Sequence, residues 1–341
     1  MAEVFLKNCW YLAAWADELA PGAKLGRQIA GEHVLLLRDD AGQLAALQDS
    51  CPHRFAPLSM GAWADGQVTC PYHGLRFAVD GRCVHNPHGA ITAALAVPAY
   101  AVVERHAALW LWLGEQPADP ALVPDLSFID ETPPQSRAMG YLPSAADYRL
   151  MVDNIMDLTH ADYLHADTLG GGINSRARAD VVQDGDRVTI TWTARDDELP
   201  PLMVKQVDTA DGRGDFRNRV HWYAPGTMLL QLRVAQPGAL EIGGHDATSA
   251  HVMTPECAGR THYFYCSTSD EMIANPALTP IIAEILGKAF AGEDKPMLEA
   301  QTARIAGRDF WALRPAMLPS DKGAVLARRT LDRLLAAEAG G

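Results

Sequence analysis

C-P-H-R-F-A-P at residues 51–57 and C-P-Y-H-G at residues 70–74 decide how the first third of this chain reads. The first segment supplies Cys51 and His53 in a Cys-x-His spacing. The second supplies Cys70 and His73 in a Cys-x2-His spacing, and sixteen residues separate the pairs. Two thiolates and two imidazoles make a soft four-ligand set, and each pair stands where a strand-like run gives way to a turn. One use of such a set is a structural zinc site. Zinc modules, however, usually draw both cysteines from one short loop and both histidines from another. Here each loop gives one of each, a division that suits a two-metal cluster.

Around these loops the runs H-V-L-L-L-R, L-A-A-L-Q and L-W-L-W-L-G are broken by the turn signals D-D-A-G and V-D-G-R, which indicates a small all-β domain. Trp110 and Trp112 alternate with leucines at strand period and read as sheet and core residues. With Pro71 and Gly74 beside the ligand positions, the segment resembles the ligand motif of Rieske proteins. The resemblance implies a [2Fe-2S] cluster with one iron on Cys51 and Cys70 and the other on His53 and His73. Respiratory Rieske proteins carry two further cysteines in these loops; the corresponding positions here are Ala56 and Tyr72. The likeness is therefore to the lower-potential, ferredoxin-like branch used by oxygenases. His85 and His88 flank a proline turn and read as loop-ordering residues, and Cys83 as a small buried hydrophobe or a loop residue. Arg54, Arg76 and Arg82 either dock an acidic electron donor or pair within the domain.

A second pattern lies at residues 154–165, N-I-M-D-L-T-H-A-D-Y-L-H. Asp157 precedes His160 by three residues and shares its helical face, in a run without glycine or proline. His165 follows His160 by five residues, about 140° away on a regular helix, so the two converge only where the helix is overwound, bulged or ending. Histidines near a helix end also serve as caps and surface residues. Two histidines with a distant carboxylate form the facial triad of mononuclear non-haem Fe(II) oxygenases. The H-E-x-x-H pattern of zinc hydrolases is absent.

The whole chain has 341 residues with 48% hydrophobic content, enough for one large or two ordinary domains with full cores. Its net charge of -13 disfavours nucleic acid or an anionic membrane surface as a partner. The six cysteines are too sparse for a disulfide scaffold. The opening M-A-E-V-F-L-K-N-C-W has neither a charged leader nor an apolar core, and no apolar run approaches ~20 residues, so a soluble cytoplasmic protein is expected.

The expected organisation is residues 1–118 as the Rieske domain and 119–341 as a catalytic domain. Residues 116–145 are rich in proline and alanine and read as a linker. The iron-site helix follows and is expected to end at Gly170, Gly171 and Gly172, which would begin a mobile loop. Runs such as R-V-T-I-T-W-T-A and T-M-L-L-Q-L-R-V-A alternate with period two, as in an antiparallel sheet with one buried face. Residues 276–305 are helical in period, and A-V-L-A-R-R-T-L-D-R-L-L-A-A is an amphipathic helix. The fold class is therefore α+β, a curved antiparallel sheet wrapped around helices in a helix-grip, START-like arrangement.

For the third iron ligand, A-G-E-D-K-P-M-L-E-A-Q offers Glu293, Asp294 and Glu299, and periodicity does not choose among them. A Rieske domain followed by N-x-x-D-x-x-H-x4-H is similar over nearly the whole chain to Rieske non-haem iron oxygenases, nearest the vanillate and dicamba O-demethylase branch. That resemblance implies Asp294 as the ligand, with Pro296 distorting the helix beside it. It also gives Asp157 two roles: accepting a hydrogen bond from His73 of a neighbouring subunit in a head-to-tail homotrimer, and orienting an iron-bound imidazole. The implied activity is that of a terminal monooxygenase component. NAD(P)H would act indirectly, through a flavin/iron-sulfur reductase or a ferredoxin, and O2 would oxidise a small aromatic acid. For a methoxybenzoate such as vanillate, hydroxylation of the methyl carbon gives a hemiacetal that collapses to a phenol and formaldehyde. The same chemistry on an arenesulfonate methyl, an N-methyl compound or an aromatic ring is the alternative; a Rieske electron carrier is another. His251 and Arg233, in predicted strands, are candidate contacts for a substrate carboxylate, which needs a donor in an apolar pocket.

Overall fold

The computed structural model describes residues 4–166, 169–207, 209 and 211–340. The chain divides into two compact units, Met1–Asp125 and Leu126–Gly341.

The first unit is built of β1 (Trp10–Trp15), β2 (Lys24–Ile29), β3 (Glu32–Arg38), β4 (Leu44–Gln48), β5 (Ala62–Ala64), β6 (Gln67–Thr69), β7 (Arg76–Ala78), β8 (Cys83–His85), β9 (Ala99–Arg105) and β10 (Ala108–Trp112). Six of them form an antiparallel sheet in the order β1-β10-β9-β4-β3-β2, and the other four form the smaller sheet β5-β6-β7-β8. Trp110 and Trp112 are buried in β10, with their indole N–H groups donated to the carbonyls of Arg105 and Gln116. A large aromatic with its one polar atom satisfied costs little to bury. Leu35, Leu37, Leu47, Val68 and Phe77 make one apolar core that also encloses Cys51 and Cys70.

The second unit contains β11 (Ala138–Ser144), β12 (Arg178–Asp184), β13 (Arg187–Glu198), β14 (Arg213–Tyr223), β15 (Thr227–Ala235), β16 (His245–Cys257) and β17 (Arg260–Ser269). They form one antiparallel sheet, β11-β17-β16-β15-β14-β13-β12, curved around helices. In β13 the alternate residues Val188, Ile190 and Trp192 are buried, as period-two patterning requires when one face is covered. The helix Tyr148–Met156 covers that face, packed against β14, β16 and the terminal helix Lys322–Gly340.

Two differences from the sequence reading have clear causes. The proline-rich stretch is not wholly linker, because Ala138–Ser144 forms β11 at the sheet edge with Pro143 opposite His262. An edge strand can carry a proline whose missing N–H faces away from its one neighbour. The iron-site helix also ends before the glycines. It breaks at Asp157 (φ −133, ψ 88), continues as a 3-10 turn over Leu158–His160 and a short helix over Ala161–Leu164, and ends at His165. The glycines instead pack tightly, and a Cβ on Gly170 would lie 2.6 Å from the Ala161 carbonyl oxygen.

Further along, the helix Thr279–Gly287 passes into a π-helical turn, Lys288–Asp294, before the helix Lys295–Ile305. Pro296 lies just beyond that turn; it cannot donate back along the helix, and its ring crowds the carbonyl of the preceding turn. Among the described residues, no helix is long and apolar enough to cross a membrane.

Candidate metal centres and substrate cavity

The two Cys–His loops close in the same way. Cys51 N–H donates to the Ala56 carbonyl and its own carbonyl accepts from Phe55 N–H; Cys70 N–H donates to Leu75 and its carbonyl accepts from Gly74 N–H. Phe55 (φ 56) and Gly74 (φ 74) are therefore equivalent left-handed positions, which a glycine occupies freely and a phenylalanine only under strain. This closure turns Cys51 and Cys70 into the core and leaves His53 and His73 outside, their ring centroids 4.4 Å apart. Burial, with Cys70 facing it, pushes the Cys51 thiol up, while partial desolvation and the neighbouring imidazoles and Arg54 push His73 down. Two buried thiols face each other, with the His53 and His73 imidazoles beside them. That donor set fits a cluster that replaces the thiol protons with iron. His88 orders the second loop, its Nε2 lying 3.0 Å from the His73 carbonyl oxygen, and Arg82 pairs with Asp80 at 2.6 Å.

In the second unit one ligand atom from each of His160, His165 and Asp294 falls within 4.8 Å of the others. His160 Nδ1 donates to the Asp157 carbonyl oxygen at 2.6 Å, and His165 Nδ1 donates to Glu293 Oε2 at 2.7 Å. A carbonyl can only accept, so Nδ1 of His160 holds the ring proton, and the carboxylate fixes His165 likewise. Each Nε2 lone pair is left facing Asp294, at 3.6 Å from His160 and 3.2 Å from His165. Asp294 is itself held by Asn154 Nδ2 at 3.0 Å. Burial alone would lower His165, but the carboxylates of Asp294 and Glu293 raise it. Two imidazole lone pairs and one carboxylate, each oriented from behind, fit a divalent non-haem iron.

The local break at Asp157 is what makes the pair converge, and it changes the way in which Asp157 orients an imidazole. Its backbone carbonyl, not its carboxylate, orients His160. The carboxylate Oδ1 caps the 3-10 turn by accepting from Thr159 N and Oγ1 at 3.0 and 2.7 Å. The sequence reading also missed Glu293 and Asn154 as partners of the ligands. Adjacency to Asp294 was the only signal for the first, and the leading Asn of the N-x-x-D-x-x-H pattern for the second.

Beside the triad opens a cavity of about 360 Å³, lined largely by apolar side chains such as Leu158, Leu230, Leu232, Ile282, Leu286 and Phe290. His251 lies in its wall, fully buried. Its Nδ1 is 2.7 Å from the Tyr263 hydroxyl and its Nε2 2.9 Å from Ser249 Oγ. Burial lowers His251 to about 4, against a raising influence from Asp294, and burial raises Tyr263 well above the usual phenol range. Tyr263 therefore keeps its proton and donates to Nδ1, and Nε2–H donates to Ser249. Both nitrogens of His251 are engaged, so within this trio of side chains the hydroxyl proton of Ser249 is the donor left for the cavity. Arg233 is not in this wall; it forms a paired contact with Asp246 on the neighbouring strand through both its Nε and a terminal nitrogen. Among the described lining residues there is no lysine or arginine.

Fold and site together define a two-unit iron protein, a Rieske unit followed by a helix-grip unit with a facial triad. Residues 9–100 match the Rieske [2Fe-2S] domain family, and residues 144–337 match the vanillate O-demethylase oxygenase C-terminal domain family. The chain belongs to the Rieske non-haem iron oxygenases of the vanillate O-demethylase type, as an oxygenase component with a [2Fe-2S] cluster and a mononuclear iron. It is 36% identical to the oxygenase component of chloroacetanilide N-alkylformylase from Rhizorhabdus wittichii, covering 98% of this chain and 97% of that one. It is also 36% identical to the oxygenase component of dicamba O-demethylase from Stenotrophomonas maltophilia, covering 98% and 99%. The crystal structure of dicamba monooxygenase bound to dicamba superposes with a TM-score of 0.90 at 35% identity, over 99% of this chain and 100% of that one.

Proposed function

We propose that this chain is the terminal oxygenase of a cytoplasmic monooxygenase system that O-demethylates a small aromatic acid, a methoxybenzoate in the first instance. The observation that carries the reading is the oriented triad opening on an apolar cavity of about 360 Å³. Cys51, Cys70, His53 and His73 would hold the cluster, and His160, His165 and Asp294 the mononuclear iron. Bound there, the two centres supply electron storage and oxygen activation. The chain's own residues do the rest. Glu293 and the Asp157 carbonyl hold both ligand imidazoles in the tautomer that offers Nε2. The apolar wall excludes water and holds the substrate methyl group beside the triad. Ser249, oriented through His251 and Tyr263, offers a proton to an acceptor on the substrate.

A flavin/iron-sulfur reductase or a ferredoxin, drawing on NAD(P)H, is the electron donor in this reading. The working assembly is a head-to-tail trimer in which His73 of one subunit approaches Asp157 of the next. Support for that contact lies in the exposed Phe55 and Tyr72 beside the cluster histidines, apolar groups that suit a protein contact. The experiment is formaldehyde release, matched to oxygen and NADH consumption, from a panel of methoxybenzoates with iron-loaded protein and a Rieske-oxygenase reductase. Stoichiometric formaldehyde is expected. Its absence, with electrons shown to reach the cluster, sinks O-demethylation of this class. N-dealkylation is the second reading, favoured by the absence of a lysine or arginine to match a carboxylate among the described lining residues.

A further inference from the structure

We propose that Asn218 determines specificity by presenting a fixed hydrogen-bond acceptor to the cavity, so that the enzyme selects aromatic substrates bearing an O–H or N–H donor. The demethylase reading supplies only the methyl ether in this substrate class; the donor requirement comes from the polarity of a chain of three side chains.

That chain starts between the two iron-site histidines. Asp162 Oδ1 accepts from Gly172 N–H at 2.9 Å, and Oδ2 from Ser175 N–H at 2.6 Å. Backbone N–H groups only donate, so both carboxylate oxygens act as acceptors. Asn174 must then turn its nitrogen toward Asp162, and its Nδ2 lies 3.4 Å from Oδ1. The Asn174 oxygen consequently faces Asn218, whose Nδ2 lies 3.3 Å from it. Both contacts are long, and their value is directional. Flipping the Asn218 amide would set oxygen against oxygen, and flipping both amides would set the Asn174 oxygen against the carboxylate.

One atom is left over. Asn218 is 8% exposed, lines the cavity, and its Oδ1 has no hydrogen-bond partner. Its cross-strand neighbours are Trp192 and Leu232. Leu232 has nothing to donate, and the indole N–H of Trp192 is itself unpaired, so the two do not bond. A buried amide oxygen left without a donor is unfavourable, and a ligand that brings one removes the deficit. Asn218 in β14 and Ser249 in β16 sit two strands and two residues apart, with their Cα atoms roughly 12 Å from each other by sheet geometry. An acceptor-bearing and a donor-bearing side chain thus line the same cavity from strands that far apart.

The test is calorimetric titration of the iron-loaded enzyme with each hydroxy-methoxybenzoate isomer and with its dimethoxy and non-hydroxylated counterparts. For at least one isomer the hydroxylated ligand should bind about ten- to a hundredfold more tightly than both counterparts, the range expected for leaving a buried acceptor unpaired. Asn218→Leu, close in volume but without the amide, should bring that set to within about twofold. Equal binding throughout every set in the wild type overturns the proposal, even if formaldehyde is formed. So does a preference that survives Asn218→Leu. A preference that Asn218→Leu removes, without formaldehyde from any member, leaves the assignment standing and overturns the demethylase reading instead.

Discussion

In the Rieske unit the candidate ligands all lie within residues 51–73, and each loop closes itself with the same pair of backbone hydrogen bonds. In the catalytic unit His165 and Glu293 are 128 positions apart in sequence and Asn154 and Asp294 are 140 apart, yet these side chains meet within 3.0 Å. The first centre is made by local chain geometry and needs its core mainly to exclude water. The second exists only once a helix break at Asp157 and a π-helical turn before Lys295 have been docked against each other. Loop closure over so long a separation carries an entropic cost that local loops avoid, and the packed sheet and helices must offset it. Perturbing the iron site should therefore leave the cluster intact, and departures from that expectation measure how far the two units depend on one another.

The largest effect is expected from Asp294→Ala. Turnover should vanish and the mononuclear iron should be lost, while both cluster irons and the cluster's visible absorbance remain. Iron and sulfide analysis checks this, and loss of the cluster as well would break the comparison. Asp157→Asn should keep both metals and nearly abolish turnover, because it removes the carboxylate proposed to meet His73 of the next subunit. Full activity in that variant would eliminate the contact, and a folding defect would trace instead to the cap on Thr159. Glu293→Gln keeps an acceptor for His165 but removes its charge; iron affinity should fall roughly 10–100-fold with the cluster unaffected, as chelator competition would show.

The effect that touches the working enzyme least concerns its stability in acid. The unfolded imidazole of His251 titrates near 6.5 and the folded one at about 4, so the unfolded chain binds the extra proton first as pH falls. The stabilisation is fully present above pH 6.5 and is lost as pH falls toward 4, by roughly 3 kcal/mol in all. His251→Gln should show a smaller drop in melting temperature between neutral pH and the acid end of that window. An equal drop in both proteins would show that His251 is not held neutral by burial.

The legibility of these features follows the same division. The Cys51, His53, Cys70 and His73 spacing named the cluster type because each loop carries its own instructions in adjacent residues. The five-residue gap between His160 and His165 likewise demanded an irregular helix, and the chain breaks at Asp157 and ends its short helix at His165. Period-two runs revealed the catalytic sheet, while β11 stayed hidden in proline-rich sequence because an edge strand tolerates residues that a central strand does not. Ser249 and Asn218 carried no pattern of their own, and Glu293 and Asn154 were marked only by adjacency to Asp294 and by the leading place in N-x-x-D-x-x-H, neither of which tells what the side chain holds. A hydrogen-bond partner contributed from a distant element leaves no period or spacing by which to find it.

By itself, then, the sequence determined which chemistry the chain carries: soft donors in two loops, two imidazoles on a faulted helix, and a β-rich unit ahead of an α+β unit. Tertiary structure alone decided which atoms of those residues face inward. Ring nitrogens, carboxylate oxygens and amide orientations are set by whichever donor or acceptor packing brings beside them. Asp162 turning Asn174, and Asn174 turning Asn218, is a choice made across three separate elements that no stretch of sequence contains.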